Sequence, residues 1–179
     1  MLSRGCLEAS RTSRGRARRA QGAPMPQTLT LTSPAFAHMG RIPDRYAAAG
    51  ADLSPPLLFA GVPAGAASLA LVCDDPDAVS GVFDHFVLYN LSPATPGLPE
   101  GLPGVPRHAD GSLSGLNGWG RLGYAGPQPP SGIHRYVFTL YALDAVLALP
   151  PGVAKKDLLR AAKGHILASA TLIGRYGRE

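Results

Sequence analysis

The sequence predicts a mainly β chain, an antiparallel sandwich or barrel with one short helix near the C-terminus and long Gly/Pro loops. Three observations carry that expectation. The 179 residues include 22 Gly and 18 Pro, a density of chain breakers that suits strands joined by many turns. Apolar and polar residues alternate with period two in several segments, whereas residues 154–163 alone repeat apolar side chains at helical spacing. A hydrophobic content of 45% is enough to fill the core of one domain of this length.

Taken in order, Leu29-Thr30-Leu31-Thr32 alternates and reads as a first strand, of the edge type. Residues 33–56 are punctuated by Pro34, Gly40, Pro43, Gly50 and Pro55-Pro56 and read as loop. Ser68 to Cys73 is a continuous apolar run closed by Asp74-Asp75-Pro76-Asp77, the pattern of a buried strand. Phe83 to Leu91 is the next strand, and strict alternation puts Phe83, His85, Val87 and Tyr89 on one face, with Asp84, Phe86 and Leu88 on the other. Residues 92–133 carry eight prolines and ten glycines. A loop that long inside a compact domain is expected to be functional. Ile133 to Leu143 is the clearest strand, with His134, Tyr136, Phe138 and Leu140 sharing a face and Arg135, Val137, Thr139 and Tyr141 the other. Leu158, Leu159 and Ala162 form the narrow stripe of the helix, Gly164 caps it, and His165 to Arg175 returns to a strand pattern.

Charge is unevenly placed. Residues 1–24 hold six arginines against Glu8, while the eleven Lys/Arg and eleven Asp/Glu of the rest cancel. The simplest reading of residues 1–24 is a disordered Arg-rich tail, an upstream extension before a natural start at Met25, with the folded domain spanning 25–179. The near-neutral body gives no reason to invoke nucleic acid. No apolar run is long enough for a secretory signal or a transmembrane span. Cys6 and Cys73 are read as unpaired thiols, which suits a reducing compartment and a cytoplasmic location.

Three segments could carry chemistry: Asp75-Pro76-Asp77-Ala78, His85-Phe86, and the run from Gly123 through Pro130 to His134-Arg135-Tyr136. With Asp52-Leu53-Ser54-Pro55-Pro56-Leu57, Tyr141-Ala142-Leu143-Asp144, Gly164-His165 and Gly174-Arg175-Tyr176, their order and spacing resemble the phosphatidylethanolamine-binding family, in its bacterial Raf-kinase-inhibitor-like branch. The resemblance spans Phe36 to Tyr176. It implies a two-sheet β-sandwich with a shallow anion pocket at one end, built from Asp75, Asp77, His85, Gly126, Pro130, His134 and Tyr136. It also implies non-catalytic binding of a phosphate-like anion, a phosphorylated small molecule or a phospholipid head group, with no cofactor. An inhibitor of a kinase or protease is the alternative, and a homodimer is suggested. The sequence departs from the family pattern at Val79, where a proline is usual, and at Phe86 and Phe59, where tryptophan is usual.

The residue chemistry fits an anion site. An imidazole and a phenol on one strand face can donate to one ligand, and backbone N–H groups around Gly126 are expected to complete a nest. The carboxylates would repel phosphate, so Asp75 and Asp77 are expected to hold the loop, orient histidine N–H groups or accept from a ligand ammonium. Arg135, on the far face, is expected to pair with a carboxylate beneath the site. A phosphoester hydrolase using His85 and His134 is the lesser alternative, because no serine or cysteine has a sequence-evident base. Gly118-Trp119-Gly120-Arg121-Leu122-Gly123 matches a dinucleotide fingerprint by letter, but no strand precedes it and no helix follows. A metal site at Asp75, Asp77, His85 and His134 lacks a tight ligand motif.

Overall fold

Among the described residues, eight strands and one α-helix follow one another as β1 (Thr30–Thr32), β2 (Leu57–Ala60), β3 (Ser68–Asp75), β4 (Phe83–Leu91), β5 (Gly97–Leu98), β6 (Leu113–Ser114), β7 (Ile133–Leu143), α1 (Lys155–Ala162) and β8 (Ile166–Gly177), with a 3-10 turn at Asp44–Tyr46. The computed structural model describes residues 28–177. The Arg-rich segment 1–24, Met25 and Cys6 lie outside the described residues. Two antiparallel sheets form, one of order β1-β2-β5 and one of order β6-β4-β3-β7-β8. The expected two-sheet sandwich is therefore present, with β1 at an edge.

Side-chain alternation explains the layering. Leu31, Leu57 and Phe59 of the small sheet pack onto Leu69, Leu71, Phe86, Leu88, Phe138 and Leu140 of the large one. The opposite face of the large sheet buries Ala70, Val72, Val87 and Tyr89 beneath Leu158 and Ala162 of α1. Strand β3 is thus covered on both sides, the physical reason for its unbroken apolar run. Each fully buried Leu or Phe contributes about 1.5–3 kcal/mol relative to exposure.

Three short elements depart from the sequence reading. Strand β2 is four residues directly after Pro55-Pro56, and β5 and β6 are two residues each inside a segment read as loop. A ladder of two to four residues carries too little periodicity to register. Strand β3 also runs past its expected stop at Cys73, because Asp74 and Asp75 both find charged or ring partners.

A bulge overturns the strict alternation expected for β4. The β3–β4 register passes from Cys73↔Phe86 to Asp74↔Asp84, leaving His85 as an extra residue. An added residue reverses the phase of a strand. Asp84 consequently faces the α1 side, where it meets Lys155. His85 turns to the side of Phe86 and stacks edge-on against Tyr136, ring centroids 5.0 Å apart.

Candidate functional site

The bulge opens onto a cavity of about 320 Å³ at the end of the large sheet, where β3 finishes and β4 and β7 begin. Strand β3 delivers Asp75, β4 delivers Phe83 and His85, and β7 delivers His134 and Tyr136. Pro130 and Gln128 close one side, and Trp119 closes another. Of the seven residues expected from sequence, Asp75, His85, Pro130, His134 and Tyr136 line this space; Asp77 and Gly126 do not.

Each of the two histidines is anchored through one ring nitrogen. His134 Nδ1 lies 2.7 Å from Asp75 Oδ2, and His85 Nδ1 lies 2.7 Å from the Ala125 carbonyl oxygen. A carboxylate and a carbonyl can only accept, so both Nδ1 atoms carry hydrogen. Nε2 is left as the ring nitrogen for a ligand in both rings. Asp75 also accepts from the Asp77 backbone N–H through Oδ1 at 2.8 Å, folding the turn that follows β3. The expectation that this carboxylate orients a histidine and holds the loop is met by one side chain.

Burial is the dominant force on His85, lowering its pKa below the usual imidazole value, while the bond to Ala125 and the charges of Asp75, Asp74 and Asp84 oppose it. Burial likewise raises the Tyr136 phenol well above its ordinary value. The Tyr136 hydroxyl lies toward the Gln128 backbone but has no hydrogen-bond partner of ordinary geometry among the described residues. Leaving such a group unsatisfied costs about 1–3 kcal/mol. An acceptor brought to the cavity floor would relieve that cost.

Asp77 and Gly126, outside the cavity lining, are each engaged by partners within the chain. Arg135 grips Asp77 through Nε at 2.9 Å and Nη2 at 2.6 Å, and the Arg135 backbone N–H adds a third bond at 2.9 Å. The hydrogen bond from the guanidinium holds the Asp77 carboxyl at about 2. The carboxylate partner expected for Arg135 is thus Asp77, but the pair stands at the surface beside the cavity and not beneath it. Gly126 donates its N–H to Asp52 Oδ1 at 2.6 Å, which removes it from the expected anion nest. Its lack of a side chain serves packing instead: a Cβ there would fall 2.3 Å from the Tyr46 carbonyl oxygen.

Sequence reasoning missed the aromatic wall. Phe83 and Trp119 meet at 4.4 Å between centroids, and Trp119 lies 5.3 Å from His85. Gly118 permits this contact, because a Cβ at 118 would strike the Phe83 ring at 2.4 Å. The fingerprint-like glycines therefore shape a cavity wall; Gly120 and Gly123 take positive φ and no helix follows them. His165 pairs with Asp144 at 2.8 Å near the other end of β7, away from the cavity. Among the described residues, no three His, Cys, Asp or Glu side chains converge as metal ligands would. No helix of the described residues is long and apolar enough to cross a membrane.

Comparison with known proteins agrees with this architecture. The model of the phosphatidylethanolamine-binding protein family matches residues 32–177. A UPF0098 protein of Methanothermobacter thermautotrophicus is 54% identical over 150 residues, covering 84% of this chain and 99% of the relative. A UPF0098 protein of Chlamydia muridarum is 42% identical over 156 residues, covering 84% and 100%. Among solved structures, a phosphatidylethanolamine-binding protein homologue of Chlamydia trachomatis superposes with a TM-score of 0.79 at 42% identity, covering 86% of this chain and 99% of that one. YbcL of E. coli shares the fold, with a TM-score of 0.77 at 23% identity over 84% of this chain and 99% of its own. The chain belongs to the phosphatidylethanolamine-binding protein family.

Proposed function

We propose that this protein binds a phosphate-like anion, carried by a phosphorylated small molecule or a phospholipid head group, in the cavity between His134 and His85, without transforming it. One observation carries the reading: two imidazoles, each pinned through Nδ1, line a single small cavity with Nε2 available. Among the described residues no Lys or Arg lines that cavity, so positive charge enters it through histidine protonation. Asp75 supports the arrangement by accepting from His134 Nδ1 and leaving Nε2 for a ligand, and the Tyr136 hydroxyl, without a hydrogen-bond partner among the described residues, supplies a further donor. The cavity is the size of a head group and largely apolar apart from these convergent polar groups, a usual mixture for small-ligand sites.

Absence of turnover is part of the proposal. Among the described residues, neither histidine is hydrogen-bonded to a serine, threonine or cysteine side chain that it could activate. Inhibition of a kinase or protease by surface contact is the second reading. It is favoured by the apolar rim, where Val79 is 89% exposed and Trp119 is 42% exposed. A calorimetric titration of the full chain with inorganic phosphate and phosphoethanolamine at pH 6 tests the primary reading. Saturable heat, weakened roughly tenfold or more in His134→Ala, is the expected result, on the scale of one charge-assisted hydrogen bond. Equal binding by wild type and variant would contradict it, and partner capture that survives His134→Ala would favour the second reading.

A further inference from the structure

Behind the cavity, on the α1 side of the sheet, lies a cluster of three charges. Lys155 Nζ sits 2.9 Å from Asp74 Oδ2 and 2.5 Å from Asp84 Oδ1, with its side chain only 14% exposed. Asp74 and Asp84 are Cα partners across β3 and β4, a placement in which like charges repel. They immediately precede Asp75 and His85, and they form the pair on one side of the step in register that makes His85 the extra residue, with Cys73 and Phe86 on the other.

Lys155 breaks a local rule to be there. It is the first residue of α1, next to an Ala154 cap without a side-chain hydrogen bond, and a cation is disfavoured at a helix N-terminus. Positions 155, 158 and 162 share the inward face of the helix, and Leu158 and Ala162 are buried. The ion pairs, not helix propensity, therefore account for a lysine at this position. Burial works against its charge, yet the bonds to Asp84 and Asp74 prevail and raise its pKa.

We propose that Lys155 is a positioning residue for the cavity, locking from the helix side the bulge that turns His85 inward and screening that ring from two carboxylates. The inference rests on His85 as a ligand-facing residue. The charged and titratable groups around His85 are Asp74 and Asp75 of β3, Asp84 of β4, and His134 and Tyr136 of β7, with Lys155 as the nearby cation. Cys73 and Tyr141 flank the triad.

The test follows the His85 ring protons of the full chain by NMR through a pH titration in Lys155→Met and in Asp84→Asn, with no ligand present. Lys155→Met leaves two uncompensated carboxylates and raises the His85 midpoint. Asp84→Asn removes one of the carboxylates that favour a protonated His85, leaving Lys155 and Asp74 as a neutral pair, and lowers it. Each shift is expected to be roughly half a unit or more. A lysine that merely stabilised the fold would loosen the site in both variants and move both midpoints toward the ordinary imidazole value. Shifts in the same direction, or none in either variant, would overturn the proposal. If Lys155→Met does not fold, a fall in Asp84→Asn supports it, and a rise or an unmoved midpoint overturns it. Because no ligand enters the experiment, its failure is distinct from a failure of anion binding.

Discussion

At the scale of single residues, the two aspartates of the loop after β3 divide their work. Asp75 is buried and fixes His134, whereas Asp77 is partly exposed and fixes the loop through Arg135. The pair with Arg135 has a defined pH signature. The Asp77 carboxyl is depressed from 3.8 to about 2 in the folded chain, so the unfolded state binds a proton first as the pH falls. Its stabilisation is present above 3.8 and disappears as the pH drops toward 2. Arg135→Ala should therefore lower the thermal midpoint modestly at pH 7, with the difference closing over that acidic window, and should leave phosphate affinity unchanged. Thermal melts across pH 2–7 with a phosphate titration at pH 6 check both parts; a loss of affinity would move Arg135 into the binding site. The residues at 75, 85, 134 and 136 were legible in sequence through the Asp-Pro-Asp, His-Phe and His-Arg-Tyr motifs, whose order and spacing carry the family resemblance. That Asp77 holds the loop was also expected, but neither its Arg135 partner nor the role of Gly126 was, since both depend on contacts over fifty residues away.

At the scale of elements, the bulge in β4 and the loop Gly118–Pro130 build the cavity that regular strands alone would not. Period two in Phe83–Leu91 located the strand to the residue, but it put His85 on the face opposite the one it adopts, because one inserted residue leaves no compositional mark. The long loop was recognisable as important from its length. Its path was not, since it is set by tertiary contacts such as Ala125 N–H to the His85 carbonyl and Tyr124 hydroxyl to the Tyr46 carbonyl. Gly126 is the tightest of these contacts. Gly126→Ala forces a Cβ against Tyr46 and Ala48 and should destabilise the chain by roughly 1–3 kcal/mol, measured by chemical denaturation. An unchanged midpoint would mean that the 46–48 segment yields freely.

At the scale of the whole molecule, a sandwich covered by α1 places a His-lined cavity holding one buried carboxylate, Asp75, at the open end of its large sheet. The depressed His85 pKa means that the unfolded chain takes up a proton more readily than the folded one below the usual imidazole range, so this residue withdraws stability as the pH falls. An anion that binds the protonated cavity reverses that loss by mass action. Sulfate, which stays dianionic over this range, should raise the thermal midpoint more at pH 5.5 than at pH 7.5. A gain independent of pH would mean that neither histidine carries the binding charge. The most direct test of anion binding is an NMR titration of the full chain with phosphate and phosphoethanolamine near pH 6.5, following the histidine ring protons. Saturable shifts at His85 and His134, lost in His134→Ala while His38 and His165 stay still, are the predicted result. Shifts absent at both cavity rings, or equal at all histidines, would contradict an anion site between them.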